Sequence, residues 1–478
     1  MAFDDLSKFL QAASDAGELE RIALAISPDQ ELAALTHQIC CEFRGAGPVI
    51  LFEEPRGHSI PVIVNLLGNR SRFLQALGAE SLSHVVDRIR SILTPFPSSS
   101  ERRFGFPAPG QTDRARYSPR IVRRGICQQI VKLGQEIDLR QFPALRSWSS
   151  ESGPFFTAAQ VITESSTGKV GLERMPLQVL DSQMLQLHWN PQGTTCRNWR
   201  EQQAAGRPLG VAISLGGDPL LSYVASLPLP DWLDPWFFAG LLRNECVNLI
   251  RGRSVELNVP AEAEIVLEGY LEPDPAMGNG TAASPAGILE TRNDLPHLQI
   301  TSITHRANPL CPAQIHSRDG SEEVVCSQLT EQLLLAILQL QHPTALDLHL
   351  PRCGAHRDAV YVSTSADTSQ QVRQLLHGVQ GLPLLAQTGL VIAVGPQVNL
   401  RDDHAVWNEV CLSRQRLNNA ARNFEETLLS SGGPLVLDAT TTSHPSSGVT
   451  CCRPEPEILA ALAKRFGNSS CDEQAATV

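Results

Sequence analysis

Apolar residues near the start of the chain recur at helical spacing. Leu6, Phe9, Leu10 and Ala13 share a face, Asp5 is placed to cap the helix and Gly17 to stop it. Leu19–Ile26 then alternates like a strand, and a second helix is predicted from about Pro28 to Phe43. Two short apolar runs bounded by turn residues, Gly47–Gly57 and Ile60–Gly68, read as strands, and helix returns around Ser81–Leu93. From Ile121 to about Arg306 the pattern changes to many short strands, including CQQIVKL, FTAAQVITE, LGVAISLG, AEIVLEGYL and LQITSITH. Such a series with turn signals predicts a barrel-like β unit, interrupted by one helix near Trp236–Ile250. From Val324 to about Thr450 helices and strands alternate again: QLTEQLLLAILQLQ, AVYVSTS, QQVRQLLHGVQ, LVIAVG and PLVLDAT. Alternation of that kind predicts an α/β unit with at least part of its sheet parallel.

These shifts divide the chain into an N-terminal α/β unit (1–115), a central β unit (116–320), a C-terminal α/β unit (321–450) and a polar tail (451–478). The stretch from about residue 95 to 119, rich in Pro, Ser and Arg, is the linker expected at the first boundary. A length of 478 residues exceeds one ordinary core, and 42% hydrophobic with 19% charged residues excludes wholesale disorder. The formal net charge of -11 argues against nucleic acid, and no polybasic stretch is present for anionic lipid. No apolar run reaches the roughly 18 residues that span a bilayer. The acidic, amphipathic N-terminus lacks the pattern of a secretory signal, so the cytoplasm is the expected compartment. The 12 cysteines include the vicinal pairs Cys40/Cys41 and Cys451/Cys452 but no CxxC, which favours free, mostly buried thiols.

Chemistry-bearing motifs are scarce. There is no Gly-rich phosphate loop, HExxH or GxSxG elbow. His297, His305 and His316 share a region, but their spacing fits no standard metal site. In the acidic segment Val259–Asp274, period two puts Glu262, Glu264 and Glu268 on one face, and a solvated strand face is the expectation.

Several longer stretches resemble the UbiD family of carboxy-lyases. DLSKFLQAASDAGELERI is similar to that family's opening helix and strand, and Gly47–Phe73 to its "G-P-x-L-F-x-x-P-x-G … P-V-x-x-N-L-x-G" segment. Gly210–Leu221, Phe237–Asn244 and Val259–Pro273 match in order and spacing, and Pro434–Thr440 resembles the closing "x-x-L-D-A-T". The resemblance implies a multidomain α/β fold: an N-terminal α/β unit, a central split β-barrel of flavin-binding type and a C-terminal α/β unit used for assembly. It further implies non-oxidative decarboxylation of an aromatic or α,β-unsaturated carboxylic acid. The family's cofactors are prenylated FMN and a divalent metal, Mn or Mg, with K.

The same resemblance locates the site and its departures. Arg174 matches the family arginine. The metal-binding Asn, His and Glu are replaced by Lys169, Gln192 and Pro235, with Asp234 and His188 nearby. The two acids of the "E-G-P-x-G-[ED]" loop become Asn279 and Ser284, neither of which shuttles protons near neutral pH. Thr442 stands at the phosphate-contacting lysine, with His444 close in sequence. Two readings follow. One is a decarboxylase with a rearranged site built from Arg174, Lys169, Asp234, His188 and His444, acting on a small aromatic or unsaturated acid. The other is a non-catalytic paralogue that partners or regulates an active homologue. Binding of some other ligand in the old flavin cleft is a third. By analogy with the family the chain is expected to form homo-oligomers.

Overall fold

The computed structural model describes residues 3, 5–43, 47–93, 115–227, 229–285, 287–317, 322–351, 359–382, 389–420 and 435–440. Most of the expected linker, Thr442, His444 and the polar tail lie outside them.

The N-terminal unit starts with α1 (Leu6–Asp15), whose Asp5 side chain accepts the Lys8 backbone N–H at 2.9 Å. Its four apolar positions are all buried, and Gly17 (φ 70°) turns the chain into β1 (Leu19–Ile22). Next, α2 (Glu31–Glu42) begins three residues later than Pro28, because Asp29 and Gln30 are bridged to the barrel at Arg146 and Gln30 takes φ 67°. Strands β2 (Val49–Phe52) and β3 (Val62–Val64) lead to α3 (Arg70–Ala76) and α4 (Leu82–Leu93).

The central unit holds β4 (Arg120–Ile121), β5 (Ile130–Leu133), β6 (Phe155–Phe156), β7 (Gln160–Glu164), β8 (Val170–Arg174), β9 (Leu177–Val179) and β10 (Met184–Leu187). After α5 (Thr194–Ala204) come β11 (Leu209–Leu215), α6 (Pro219–Ser226) and α7 (Pro235–Arg243). The unit closes with β12 (Asn248–Arg251), β13 (Asn258–Pro260), β14 (Ile265–Leu271), β15 (Met277–Ala283), β16 (Leu289–His305) and β17 (Cys311–Pro312). Ten of these strands form one antiparallel sheet, in the order β6-β9-β10-β16-β14-β11-β7-β8, with β15 and β5 also paired to β16. The 17-residue β16 makes this possible by changing partners along its length. Where it meets β14 the register shifts at Glu268/Gly269; a Cβ on Gly269 would lie 2.1 Å from the Gln299 carbonyl oxygen, so only glycine fits that approach. β17 returns to pair with β3, so the small sheet β1-β2-β3-β17 joins the N-terminal unit to the barrel.

The C-terminal unit opens with α8 (Glu322–Gln339), then β18 (Ala345–His349), β19 (Ala359–Thr364), α9 (Ser369–Gln380), β20 (Leu390–Val394), α10 (Asp403–Ala420) and β21 (Leu435–Asp438). β19, β20 and β21 are parallel, and β18 is antiparallel at the edge. One apolar cluster runs from α1 and α4 through α6 and α7 to α8, so the units share a core. Among the described residues no helix is long and apolar enough to cross a membrane, and the eight described cysteines are all free, five of them buried.

Two expectations need correction. The helix expected over Trp236–Ile250 stops at Arg243, where Asn244 adopts a left-handed cap (φ 61°), and the following residues become β12 against β4 and β13. It is also not the one helix of the unit: α5, polar over most of its surface, and α6, which follows two glycines, carry little apolar periodicity. The acidic segment is not a solvated face. Glu264 and Glu268 are both 0% exposed. Glu268 accepts the backbone N–H groups of Arg253 (2.8 Å) and Val255 (3.1 Å) and two bonds from Ser254, pinning the β12–β13 turn to β14. Glu264 accepts from Leu310 N–H (3.0 Å) and pairs with Arg306 (3.2 Å). Charged side chains with donors enough for both oxygens are tolerated inside a sheet, which alternation alone does not reveal.

Replacing Glu268 by Ala strands three backbone donors in a dry turn, and the expected loss is about 3 kcal/mol or more in urea unfolding, whereas Glu256→Ala on the exposed turn is expected to change little.

Candidate active site

Strand β8 positions the key cation. Alternation sends Glu173 and Arg174 to opposite faces. Glu173 accepts the Thr194 and Thr195 N–H groups, both at 2.7 Å, at the head of α5. Arg174 turns the other way, into a cavity of about 20 Å³. All three units wall it: Leu66 and Leu67 from the first, Gln160 and Arg174 from the barrel, and Glu322 and Cys326 from α8. Gly216 and Gly217, at φ 75° and 88°, let the chain turn closely over Glu264 and Ala263 before Asp218 caps α6 through the Leu220 N–H (2.9 Å). Asp218 in turn pairs with Arg243 at 3.1 Å, and the Tyr223 hydroxyl bonds Thr330 Oγ1 at 2.8 Å, tying α6 to α8.

The charges at and beside the cavity are unusual for their burial. The Arg174 guanidinium forms an ion pair with Glu323, and the two side chains are only 6% and 3% exposed. Glu322 beside it accepts the Gln314 side-chain amide and the Leu67 N–H (3.2 Å). Burial pushes the Glu322 carboxyl up, opposed by Gln314 and Arg174. Gln314, buried at the cavity wall, has an Oε1 with no hydrogen-bond partner.

The structure does not bring the other sequence-derived positions to Arg174. Lys169 is exposed at the β7–β8 turn, its N–H bonded to Ser165 Oγ at 3.0 Å. Gln192 is exposed in a turn, its N–H bonded to Asn190 Oδ1 at 3.0 Å. Pro235 is buried as the first residue of α7, and Asp234 is an exposed cap accepting the Phe237 N–H at 2.8 Å. Asn279 is exposed on β15, and Ser284 opens the turn to β16. None of these lines the cavity, and Thr442 lies outside the described residues. His188 is buried elsewhere, 3.3 Å from Gln178 Oε1 and edge-on to Phe155, and burial, aided by Arg292, lowers its pKa to about 4.

Sequence reasoning missed Glu322, Glu323, Gln160 and Gln314. The one available signal was the acid doublet in SEEVV at the head of an otherwise apolar helix, a place where acids normally face solvent and favour the helix dipole.

Family models match nearly the whole described chain. Residues 10–90 match the 3-octaprenyl-4-hydroxybenzoate carboxy-lyase N-terminal domain, 120–319 its Rift-related domain and 324–416 its C-terminal domain. The chain belongs to the UbiD family. A protein of Aquifex aeolicus, described only as uncharacterized, is 31% identical over 96% of this chain and 95% of its own. The closed form of the vanillic acid decarboxylase of Sedimentibacter hydroxybenzoicus superposes with a TM-score of 0.78 at 19% identity, covering 98% of this chain and 100% of that one. The evolved dimeric form of the UbiD-class enzyme HmfF from Pelotomaculum thermopropionicum, in complex with prFMN, gives 0.71 at 21% identity, covering 92% and 95%. These structures share the UbiD fold with this chain, including its curled central sheet.

Among the described residues, the positions matched to the family's metal ligands do not converge on one point. Among the described residues no three His, Cys, Asp or Glu side chains group as a metal site, and the positions matched to the family ligands are an exposed lysine, an exposed glutamine and a helix-starting proline. A divalent cation needs oxygen or imidazole donors converging on one point, so this donor set does not fit it. A cavity of about 20 Å³ has room for a water molecule but not for a flavin.

His188 supplies a test of the barrel's polar interior. Its pKa near 4 lies below the ordinary 6.5, so the folded state favours the neutral ring. The stability this contributes is complete above pH 6.5 and is lost as pH falls from there towards 4. Unfolding free energies measured across that window are expected to fall less steeply in His188→Gln than in the unmodified protein.

Proposed function

We propose that the Arg174 cavity receives the carboxylate of a small aromatic or α,β-unsaturated acid, and that the chain's reaction is the non-oxidative loss of that carboxylate as carbon dioxide. The observation that carries this reading is a guanidinium held almost wholly out of water at the wall of a cavity where three units meet. A guanidinium in a dry site binds a planar carboxylate through two parallel hydrogen bonds and orients it. Leu66, Leu67 and Ala158 offer apolar surface to a ring, and Tyr223 stands beside them. The structural neighbour named for vanillic acid decarboxylation supports an aromatic substrate. Prenylated FMN belongs to this reading as the family cofactor, and its entry requires the three walls to part. Self-association also belongs to it, with Leu346 and Trp407 as large apolar side chains exposed on the C-terminal unit.

A second reading has its own observation. The family's metal positions are built into surface turns and a helix start, which suits a non-catalytic paralogue that keeps the shell and partners an active homologue.

The test is to incubate the purified protein with prenylated FMN and a divalent metal, desalt it, and read flavin absorbance and carbon dioxide release from a panel of aromatic acids. Retained flavin with turnover is expected, and Arg174→Met should lower kcat/KM by about 10²-fold or more, the loss typical of a charge-assisted substrate contact in a dry site. A colourless protein without turnover contradicts the decarboxylase reading, and co-purification with an active family member then supports the second.

A further inference from the structure

The small sheet β13-β12-β4 carries charge of the opposite sign to the whole chain, whose formal net charge is -11. Arg116, Arg120, Arg123, Arg124, Arg251 and Arg253 come together on it and the segments that run into and out of it, and all are exposed. They belong to two stretches far apart in sequence, which the parallel pairing of β4 with β12 makes neighbours. In that ladder Asn248 lies opposite Arg120 and Leu249 opposite Ile121. The same register carried two residues on sets Arg251 beside Arg123, on the face of Ile121.

The acids nearby do not balance this group. Glu256 pairs with Arg251 at 3.0 Å, and Glu262 accepts the Asn248 side-chain amide at 3.2 Å. Glu268 is buried and committed to the β12–β13 turn, and Glu245 is exposed just past the Asn244 cap. Arg116 donates to the Asn244 carbonyl at 3.2 Å. Among the described residues Arg120, Arg123, Arg124 and Arg253 form no ion pair.

The backbone here is open as well. The Arg120 and Val122 N–H groups donate to the Val247 and Leu249 carbonyls at 2.9 and 2.8 Å, so both face β12. Ile121 lies between them and turns its N–H and C=O the other way, to the edge of the sheet that no described strand covers. Its apolar side chain is 59% exposed among the arginines.

We propose that this face docks an acidic, extended segment of a partner protein, which adds to the open edge of β4 as a strand while its carboxylates meet the arginines. The proposal is independent of the decarboxylase reading. Charge and backbone select this occupant together. An edge strand gains main-chain hydrogen bonds from an added strand, and the flanking side chains choose which strand it is. A second copy paired edge to edge would set these arginines against their own kind. A nucleic acid or an anionic membrane offers charge but no peptide backbone, and the acidic remainder of the chain repels both.

Fluorescence anisotropy of a short labelled peptide that alternates Glu and Val, titrated with the full-length protein at low salt, tests the assignment. Saturable binding is expected, and added salt should weaken it. Arg123→Glu combined with Arg124→Glu should weaken it about tenfold or more, with the urea midpoint unchanged. The same peptide with every amide N-methylated keeps its carboxylates but cannot donate to a strand, and it should also bind about tenfold or more weaker. Hydrogen exchange at the Ile121 amide should slow when the unmethylated peptide binds. Absence of saturable binding, or equal binding of the methylated peptide, overturns the proposal. Inorganic polyphosphate that displaces the peptide while exchange at Ile121 stays fast would reveal a surface that reads charge alone, and overturns it too. Self-association that the double charge reversal abolishes would assign the face to a second copy and overturn it likewise.

Discussion

A buried ion pair between Arg174 on the barrel and Glu323 on helix α8 is the constraint around which this molecule is arranged. Taking both charges out of water is costly, and their pairing offsets part of that cost. Strand β8 must therefore end where α8 begins, and the C-terminal unit is held against the barrel by a directional contact as well as by apolar packing. The Tyr223–Thr330 bond and the Glu322 contacts to Gln314 and Leu67 N–H reinforce the junction from its other sides. The cavity exists because this junction is polar at its centre and apolar around it.

Much of the fold was legible because its signals are local. Asp5, the apolar face of α1 and the stop at Gly17 are read within one short stretch. The parallel run β19-β20-β21 follows from strands alternating with α9 and α10. The failures have physical causes too. The sequence after Arg243 remains apolar, so only the left-handed Asn244 separates α7 from β12. Glu264 and Glu268 look like surface acids until the turn amides and Arg306 that satisfy them are seen.

The site was legible only in part, because its partners are remote in sequence. Arg174 and Glu323 are 149 residues apart, and no spacing rule connects them. Family resemblance directs attention to the positions where relatives carry ligands and acids, so it identified Arg174 and the replacements but not groups arriving from another unit. The acid doublet at the start of α8 reads as favourable helix-terminus charge, and only burial shows that it faces inward. The general lesson is that replacements at the positions matched to a family's site do not by themselves show that a cavity lacks chemistry.

The central claim, that Arg174 and Glu323 are coupled across two units, is tested most directly by a double-mutant cycle of Arg174→Met and Glu323→Gln in urea unfolding. The account predicts that each single change is strongly destabilising and that the pair together costs less than their sum, by about 1–3 kcal/mol. Additive effects would show that the two side chains do not depend on one another, and would contradict it.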